Sequence, residues 1–324
     1  MKKFTTIDLF AGVGGIRLGF EKAEFDTVYA NDYDKNCKIT YDANFDKVPL
    51  TIKDITKQSD ANFSSVLDDI KKIKYDVLLG GFPCQAFSIA GYRQGFRDSR
   101  GIGDLFFYVA EIIEKTQPKA FLLENVKNLK GHDKGRTYKI IKETLESLGY
   151  HVKEEILNSM DYGNLPQNRE RMYIVGFKSK EQFDRFKFPK KIKRSKKISD
   201  ILEEKVDPYF YYENKSIWEK IKDYPFVENI VYQWRRVYVR ENKSGVCPTL
   251  TANMGTGGHN VPLVKDKKGV RKLTPLECFR IQGFPEEYAL PDIAKSHLYK
   301  QAGNSVSVPV IYRIATNMLE ALQS

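Results

Sequence analysis

The chain has only four cysteines in 324 residues, and no two of them form a CxxC pair. They stand at Cys37, Cys84, Cys247 and Cys278, without neighbouring histidines at the spacing of zinc ligands. This scarcity argues against a disulfide framework and against a structural metal site. Internal repeats, low-complexity tracts and apolar runs long enough to span a bilayer are also absent from the sequence. Each cysteine must therefore be judged singly.

The composition is that of an ordinary soluble globular protein. Hydrophobic residues make up 41% of the chain and charged residues 29%, both usual values. The length allows a proper core and suggests either one large domain or a domain with a substantial lobe. The opening MKKFTTIDLF leads directly into a strand pattern, without a signal-peptide cleavage region. We therefore expect a cytoplasmic protein.

Positive charge is concentrated in one segment of the chain. Between Lys187 and Lys272 there are 20 Lys and Arg residues against 10 Asp and Glu, an excess that accounts for nearly all of the net charge of +11. Seven of these cations lie between Lys187 and Lys197, with no acid among them. An isolated basic stretch is often only a solvated surface. Beside a nearly neutral remainder, however, it predicts a lobe that binds a polyanion.

Strand and helix patterns alternate through the first part of the chain. TTIDLF, YDVLLGG and AFLLENV predict strands, whereas LFFYVAEIIEKT and TYKIIKETLESLGY predict helices. Strands separated by such helices favour right-handed crossovers, so the predicted fold class is α/β with a mostly parallel sheet. Helical periodicity is then missing until VSVPVIYRIATNMLEALQ near the end. We predict a main domain over residues 1–187 and 295–324, and a smaller, loop-rich domain over residues 188–294.

The segment IDLFAGVGG combines a strand, a glycine turn and the start of a helix. Gly12, Gly14 and Gly15 allow the backbone to approach a ligand, and Asp32 follows at the end of the second strand, where it could bind ribose hydroxyls. Glycines followed by an acid about twenty residues later are also typical of dinucleotide-binding proteins. Here Arg17 replaces the third glycine of that fingerprint and would crowd a pyrophosphate. An adenosine cofactor without a pyrophosphate, such as S-adenosylmethionine, fits better.

Reactive side chains are predicted at the same sheet edge. LLGGFPCQAFS places Cys84 just after a strand, where a nucleophile is typical, although a free cysteine is more often a small buried hydrophobe. FLLENV places Glu124 at another strand tip, where it could serve chemistry or only cap a helix. PQNRER supplies Gln167, Arg169 and Arg171, whose side chains either point one way, if the segment is extended, or form a surface salt-bridge ladder. QAGNSV predicts a tight turn at Asn304 before the last helix.

Together these segments resemble the DNA (cytosine-5)-methyltransferases over essentially the whole chain. They occur in the family's order: DLFAGVGG, NDYDK, DI, GFPCQAFS, LFF, LLENV, PQNRER, RKLTPLECFRIQGFP and QAGNSV. One motif alone would be weak evidence, but this many in order is strong. The resemblance implies a Rossmann-like, S-adenosylmethionine-dependent methyltransferase fold with a target-recognition domain in the basic segment. The short chain looks like a bacterial restriction-modification methyltransferase.

The resemblance also implies roles for single residues, and it implies no metal. Cys84 would be the nucleophile, and Glu124 would contact and protonate N3 of the cytosine. Arg169 and Arg171 would be partners of the base and of the catalytic groups. The residues implied to bind the cofactor are Asp8, Phe10, Gly12, Gly14, Gly15, Asp32, Tyr33, Asp54, Ile55, Pro83, Leu105, Asn304, Ser305 and Val306. The residues expected to bind DNA are Gln85, Ser88, Arg235, Arg236, Arg240, Thr249 and Leu250.

The implied chemistry explains why these residue types are needed. Cytosine C5 is a poor nucleophile, so a thiolate adds at C6 first, and an acid at N3 stabilises the adduct. A stacked base is inaccessible to such attack, so the cytosine must be flipped out of the duplex. The expected partner is double-stranded DNA and not a membrane. We expect a monomer, paired in function with a restriction endonuclease without obligatory contact.

Two alternatives stay open. An RNA methyltransferase of the same family would share the catalytic residues, but its Cys-Phe-Thr signature is absent, because Arg280 follows Cys278-Phe279. A catalytically silent DNA-binding module could keep the fold, but it would not need the catalytic residues. The sequence does not encode the DNA target in readable form. Thr249 and Leu250, in CPTLTANMGTGGHN, are the predicted point of entry into the major groove.

Overall fold

The computed structural model describes residues 3–56, 65–83, 105–213, 215–235, 237–242, 244–255 and 261–323. The chain divides into two units. The first comprises residues Met1–Leu157, Glu170–Pro189 and Ile311–Ser324, and the second Asn158–Arg169 and Lys190–Val310. The break at Pro189 lies close to the predicted domain boundary. The assignment of catalytic and target-recognition domains stays a prediction.

The first unit is built on a seven-stranded sheet with the order β3-β2-β1-β4-β5-β8-β6. Its strands are β1 (Thr5–Leu9), β2 (Asp26–Asp32), β3 (Thr51–Ile52), β4 (Val77–Gly80), β5 (Ala120–Val126), β6 (His151–Asn158) and β8 (Glu170–Phe177). The pairs from β3 to β5 are parallel, and β5 runs antiparallel to β8. Strands β4 and β5 are buried almost throughout, as is typical of parallel strands covered on both faces. The predicted mostly parallel sheet is confirmed.

Helices separate most of these strands, as the alternating pattern predicts. In chain order they are α1 (Gly15–Lys22), α2 (Lys35–Asp42), α3 (Val66–Ile70), α4 (Leu105–Thr116), α5 (Arg136–Ser147), α6 (Ser159–Tyr162), α7 (Lys180–Arg185), α8 (Trp218–Ile221), α9 (Pro275–Gln282), α10 (Lys295–Asn304) and α11 (Val308–Leu322). Within the first unit, Ile113 of α4 and Ile141 of α5 share one core with Leu78 and Phe121 of the sheet. Each such buried side chain contributes about 1.5–3 kcal/mol. Among the helices described, none combines the length and apolarity that a bilayer crossing requires.

The strand register aligns the ends of neighbouring strands. Leu9 pairs with Asn31 on one side and with Gly80 on the other, and Gly80 pairs in turn with Leu123. The next residue of each strand or its extension therefore stands in one row across the sheet. That row is Asp32, Phe10, Gly81 and Glu124. The residues predicted for the cofactor, the chain leading to Cys84 and the predicted acid thus meet at one edge.

The second unit contains a four-stranded antiparallel sheet with the order β10-β9-β12-β13, and a short parallel pair of β7 with β11. Its strands are β7 (Gln167–Asn168), β9 (Val231–Trp234), β10 (Val239–Glu241), β11 (Cys247–Pro248), β12 (Leu263–Lys265) and β13 (Val270–Lys272). Tyr232, Trp234, Leu263 and Val270 form its apolar core with Phe226. Aromatic residues in this basic segment therefore serve packing first.

Helices α9 and α10 contradict the prediction that this part of the chain lacks helices. The carboxylate of Glu277 accepts the Thr274 N–H at 2.8 Å, and the Thr274 hydroxyl accepts the Glu277 N–H at 3.1 Å. This capping box starts α9, and Gly283, at φ 82°, ends it. Six of the eight residues of α9 are buried, and a helix buried on most sides shows no amphipathic period. Asn304 likewise is the last residue of α10 and not part of a turn.

Candidate active site

Glu124 and Arg171 form a buried ion pair in the first unit. Arg171 Nε lies 3.1 Å from Oε1 of Glu124, and both side chains are largely shielded from solvent. Antiparallel pairing of β5 with β8 sets Arg171 opposite Val126, two residues from Glu124, so the two charges are diagonal neighbours on one sheet face. A carboxyl group held by a fixed guanidinium is positioned for hydrogen bonding to a substrate.

The chain that leads to Cys84 is anchored beside Glu124. Asn125 Nδ2 donates to the Phe82 carbonyl oxygen at 2.9 Å in a buried position. A Cβ at Gly81 would lie 3.7 Å from Oε2 of Glu124. The acid therefore lies against a glycine that precedes Cys84 by three residues. Four predicted site residues fall outside the described residues: Cys84, Gln85, Ser88 and Arg236.

The glycine turn after β1 has the backbone conformation that its sequence predicts. Gly12 and Gly14 have φ of 55° and 77°, and α1 begins directly afterwards at Gly15. A Cβ at Gly14 would approach Cε2 of Phe45 to 2.3 Å, so only glycine fits there. Phe10 also has a positive φ of 55°. The turn is therefore tight, and its backbone has few alternative conformations.

Asp32 fastens this turn to the second strand. Its Oδ2 accepts the Gly12 N–H at 2.9 Å, and its Oδ1 accepts the Asp34 N–H at 2.8 Å. Burial raises the pKa of the carboxyl group, although these two N–H donors oppose the shift. Each carboxylate oxygen can accept a further hydrogen bond, so Asp32 retains the capacity to bind ribose hydroxyls.

Asp8 is buried completely beneath the same turn. No side chain among the residues described bonds either carboxylate oxygen. Burial raises its pKa from 3.8 to about 7, and the positive charge and the backbone N–H of Arg17 oppose the shift. A carboxyl group buried this deeply is costly as an anion, so a cationic ligand group nearby would stabilise its charged form.

Arg17 links α1 to the chain that follows β2. Its guanidinium binds Glu21 at 2.7 Å, the Tyr41 hydroxyl at 2.8 Å and the Val48 carbonyl at 2.8 Å. It also stacks 4.1 Å above the Phe45 ring. That Arg17 would crowd a pyrophosphate stays a prediction.

The other cofactor residues of the first unit surround this edge. Tyr33 is 66% exposed and presents a free ring face, and Asp54 accepts the Thr56 N–H and hydroxyl through Oδ1. Ile55 packs on the core, Leu105 begins α4 and Pro83 is exposed. Their contacts with a cofactor stay predictions.

Arg169 and the residues from 304 to 306 lie in the second unit. Arg169 is 2% exposed and donates to the carbonyl oxygens of Leu250 and Ser305, at 2.9 and 2.5 Å. Asn304 is exposed, whereas Ser305 and Val306 are buried. The two arginines of PQNRER therefore have different partners: Arg171 binds Glu124, and Arg169 binds backbone carbonyls. The expectation of a surface salt-bridge ladder is wrong.

The predicted DNA-binding residues differ in exposure. Arg235 and Arg240 are exposed around the hairpin of β9 and β10. Thr249 is half-buried, and its hydroxyl donates to the Asn168 carbonyl at 2.7 Å. Leu250 is 1% exposed, so its side chain is packed inside the second unit. The basic run from residue 190 to 197 is exposed at nearly every cation.

Among the described residues, no group of three His, Cys, Asp or Glu side chains is placed to hold a metal ion. Cys247 and Cys278 are fully buried, and burial raises the pKa of both thiols, which makes them poor nucleophiles. Cys37 is half-buried on α2.

The sequence of this chain is similar to known proteins over nearly its whole length. Residues 4–320 match the family described as C-5 cytosine-specific DNA methylase. The chain belongs to the C-5 cytosine-specific DNA methylases. It is 54% identical to the Type II methyltransferase M.Bsp6I of Bacillus sp. (strain RFL6), with 97% of this chain and 98% of that protein covered. The Type II methyltransferase M.HaeII of Haemophilus aegyptius is 43% identical, with coverages of 99% and 95%.

Solved structures support the fold of this methylase. A DNMT2 variant from Spodoptera frugiperda superposes with a TM-score of 0.75 at 20% identity, covering 98% of this chain and 99% of that one. An E. coli prophage protein described as a putative DNA modification methyltransferase gives 0.73 at 21% identity, covering 99% and 100%. The predicted family and methyltransferase fold are confirmed. The protein is an S-adenosylmethionine-dependent DNA (cytosine-5)-methyltransferase.

Sequence reasoning singled out Gln167 but missed Gln282, the second buried amide of this cluster. Gln167 and Gln282 are both fully buried, and Gln167 Nε2 donates to Gln282 Oε1 at 3.0 Å. Both occur in the recognised segments PQNRER and RKLTPLECFRIQGFP. Nothing in their spacing indicates that they meet, because 115 residues separate them along the chain.

Proposed function

We propose that this methylase flips a cytosine out of a specific short duplex sequence and methylates it at C5 through a covalent adduct with Cys84. The observation that carries the proposal is the buried Glu124, paired with Arg171 and lying against Gly81, just before Cys84. The thiols that the structure describes are half-buried or have a raised pKa. Attack on a cytosine ring requires an acid and a thiol, and Glu124 lies beside the chain that leads to Cys84.

The residues of this chain act in three steps. The Cys84 thiolate forms a bond to C6, the electrons of the ring shift towards N3, and Glu124 gives its proton to N3. C5 then takes the methyl group, and a base removes the proton from C5. As the C5–C6 double bond re-forms, the bond from C6 to sulfur breaks, Cys84 leaves as a thiolate, and the N3 proton returns to Glu124. Arg171 holds the carboxyl group of Glu124 in place throughout.

S-adenosylmethionine fits the glycine turn and would supply an electrophilic methyl group there. The fit rests on Asp8, whose fully buried carboxyl group is bonded by no described side chain and would be stabilised as an anion by the positive methionine part. Asp32 would bind the ribose and the exposed Tyr33 ring would cover the adenine. Asp54 and Ile55 would meet the adenine edge. Asn304, Ser305 and Val306 are proposed to bind the cofactor as well.

The second unit supplies the features expected of a DNA-binding surface. An exposed basic run follows Pro189, and Arg235 and Arg240 flank a hairpin whose tip exposes 86% of Val237. Cations of this kind neutralise phosphates, whereas Thr249 is our candidate for base contact. Because relatives are named Type II methyltransferases, we propose that methylation protects host DNA from a cognate endonuclease.

The test uses Cys84→Ser beside Cys37→Ser as a matched control. We expect Cys84→Ser to abolish methyl transfer to duplex DNA while DNA and cofactor binding persist, and Cys37→Ser to retain the rate. A duplex with 5-fluorocytosine should trap a covalent adduct at Cys84, because fluorine cannot leave as a proton does. Turnover near the native rate in Cys84→Ser, or a missing adduct by mass spectrometry, contradicts the mechanism. Methylation of transfer RNA instead of DNA would favour the RNA alternative.

A further inference from the structure

Three buried polar side chains of the second unit, Gln167, Arg169 and Gln282, are linked by hydrogen bonds to each other or to shared backbone groups. They are here called the polar clamp. They are exposed by 0%, 2% and 0%. Gln167 Nε2 donates to Gln282 Oε1 at 3.0 Å and to the Ile281 carbonyl at 3.2 Å. Buried polar groups in a network are costly when any member loses its partner, so this cluster specifies one arrangement of the chain around it.

The clamp holds both backbone polar groups of Leu250. The Leu250 N–H donates to Gln167 Oε1 at 3.1 Å, and the Leu250 carbonyl accepts from Arg169 Nη1 at 2.9 Å. The neighbouring residue is also tied to β7, since Thr249 donates its hydroxyl to the Asn168 carbonyl. Strand β11 ends at Pro248, and the backbone that follows it pairs with no described strand. Hydrogen bonds with side chains therefore hold this segment in place.

Two of these side chains, Gln282 and Arg169, hold the end of α10. Gln282 Nε2 donates to the carbonyls of Ala302 and Ser305, at 2.7 and 3.3 Å. Arg169 Nη2 donates to the carbonyls of Gly303 and Ser305, at 3.3 and 2.5 Å. The last carbonyls of a helix lack intrahelical partners and favour a nearby cation. The clamp therefore satisfies groups that would otherwise be buried without donors.

The two held segments also touch directly. A Cβ at Gly303 would come within 2.2 Å of the Thr251 carbonyl carbon and 2.6 Å of the Ala252 nitrogen. The chain after Leu250 thus lies on the last turn of α10 without room for a side chain. A shift of either segment must move the other.

We infer that Gln167, Arg169 and Gln282 are positioning residues that fix the Thr249–Thr251 segment against residues 302–305. The inference rests on the proposed function, in which Thr249 contacts bases and Asn304, Ser305 and Val306 bind the cofactor. Through the clamp, the segment that reads DNA and the segment that binds cofactor share one set of hydrogen bonds. Discrimination between DNA sequences then depends on side chains that touch neither DNA nor cofactor.

The main test compares Gln282→Met with Tyr299→Phe. Methionine matches the volume of glutamine but loses every clamp bond of residue 282. Tyr299 lies on α10, whose end the clamp holds. Tyr299→Phe removes one buried hydrogen bond, from the Tyr299 hydroxyl to the Leu273 carbonyl at 2.5 Å, and leaves every clamp bond in place. The readout is kcat/KM on the duplex that the wild type methylates, divided by kcat/KM on the same duplex with one base pair changed. We expect Gln282→Met to lower this ratio at least fivefold and Tyr299→Phe to leave it unchanged.

Amide hydrogen exchange provides a readout that does not depend on activity. We expect at least tenfold faster exchange at Leu250 in Gln282→Met and in Gln167→Met, and no change there in Tyr299→Phe. Gln167→Met also serves if Gln282→Met does not fold. Leu250 exchange equal to that of the control overturns the inference, as does an unchanged discrimination ratio in a folded clamp variant. A wild type that methylates no DNA would contradict the proposed function alone, since the exchange measurement still decides on the clamp.

Discussion

Individual residues of PQNRER show how neighbouring side chains of one motif take different tasks. Arg171 Nε lies 3.1 Å from Glu124 Oε1, between strands β8 and β5 of the first unit. Arg169, in the second unit, donates to the backbone carbonyls of Leu250 and Ser305 in that unit. Arg171, unlike Arg169, lies beside an acid that chemistry can use. We therefore assign catalysis to Glu124 with Arg171, and positioning to Arg169.

Asp8 should make stability depend on pH. Its pKa in the folded protein is raised from 3.8 to about 7 by burial, so between about pH 4 and pH 7 the folded state holds a proton that the unfolded state lacks. Its contribution to the free energy of unfolding therefore falls as pH rises through this window, by at most about 1.4 kcal/mol per pH unit, and is constant above it. We expect Asp8→Asn to remove this slope, measured by urea unfolding from pH 4 to 8.

A matched control for Asp8→Asn is Asp76→Asn, because the pKa of Asp76 is lowered in the folded protein whereas that of Asp8 is raised. Burial would raise its pKa, but bonds from Lys119 and Thr5 outweigh burial and lower it. Its stabilising contribution is present above its unfolded pKa and is lost only as pH falls further. Asp76→Asn should leave the slope between pH 4 and 7 intact. Equal slopes in wild type and Asp8→Asn would show that Asp8 is ionised in the folded protein.

Asp32 should contribute to cofactor affinity. We expect Asp32→Ala to weaken S-adenosylmethionine binding by about 1 to 3 kcal/mol, or roughly 5- to 150-fold in Kd, because hydroxyls lose a charged acceptor. Calorimetry measures the change. Since Asp32 also accepts the Gly12 N–H, unfolding of the ligand-free variant must be measured beside it. An unchanged cofactor affinity would contradict the ribose role.

At the scale of an element, the turn between β1 and α1 depends on Gly14. We expect Gly14→Ala to lower the free energy of unfolding by about 1 to 3 kcal/mol, because it forces a positive φ and a clash with Phe45. The displaced turn should also lose most of its cofactor affinity. Thermal unfolding and calorimetry check the two effects.

Gly149→Ala is the control for this turn. Gly149 has a similar φ of 85°, but the nearest atom to its Cβ would be Lys178 Nζ at 3.9 Å. It should lose stability through backbone strain alone and keep cofactor affinity. If Gly14→Ala binds cofactor as Gly149→Ala does, the turn is not part of the cofactor site.

At the scale of the whole molecule, DNA affinity should fall steeply with salt. The excess cations lie between Lys187 and Lys272, and each phosphate contact adds about one unit to the slope of log affinity against log salt. We expect Arg240→Ala to flatten that slope by about one unit for every DNA sequence, as measured by salt titration of binding. Lys139→Ala, on the exposed face of α5 in the first unit, should leave the slope unchanged.

Thr249→Ala should behave differently from Arg240→Ala. Base contacts carry sequence information, whereas phosphate contacts position the protein. The variant should therefore methylate a changed set of sequences, or none, while its salt slope and nonspecific binding stay as in the wild type. A loss of specificity in both variants alike would refute this division of labour.

The sequence by itself determined the family, the mostly parallel sheet and the residue types of the site, because these depend on local pattern. A buried strand such as VLLG and a glycine turn with positive φ are required by nearby residues alone. Helix α9 escaped prediction because burial on most sides hides its periodicity. The partners of Arg169, the exposure of Leu250 and the meeting of Gln167 with Gln282 were decided only by tertiary structure. Those contacts join residues up to 136 positions apart, and no local pattern encodes which distant carbonyl a buried side chain will reach.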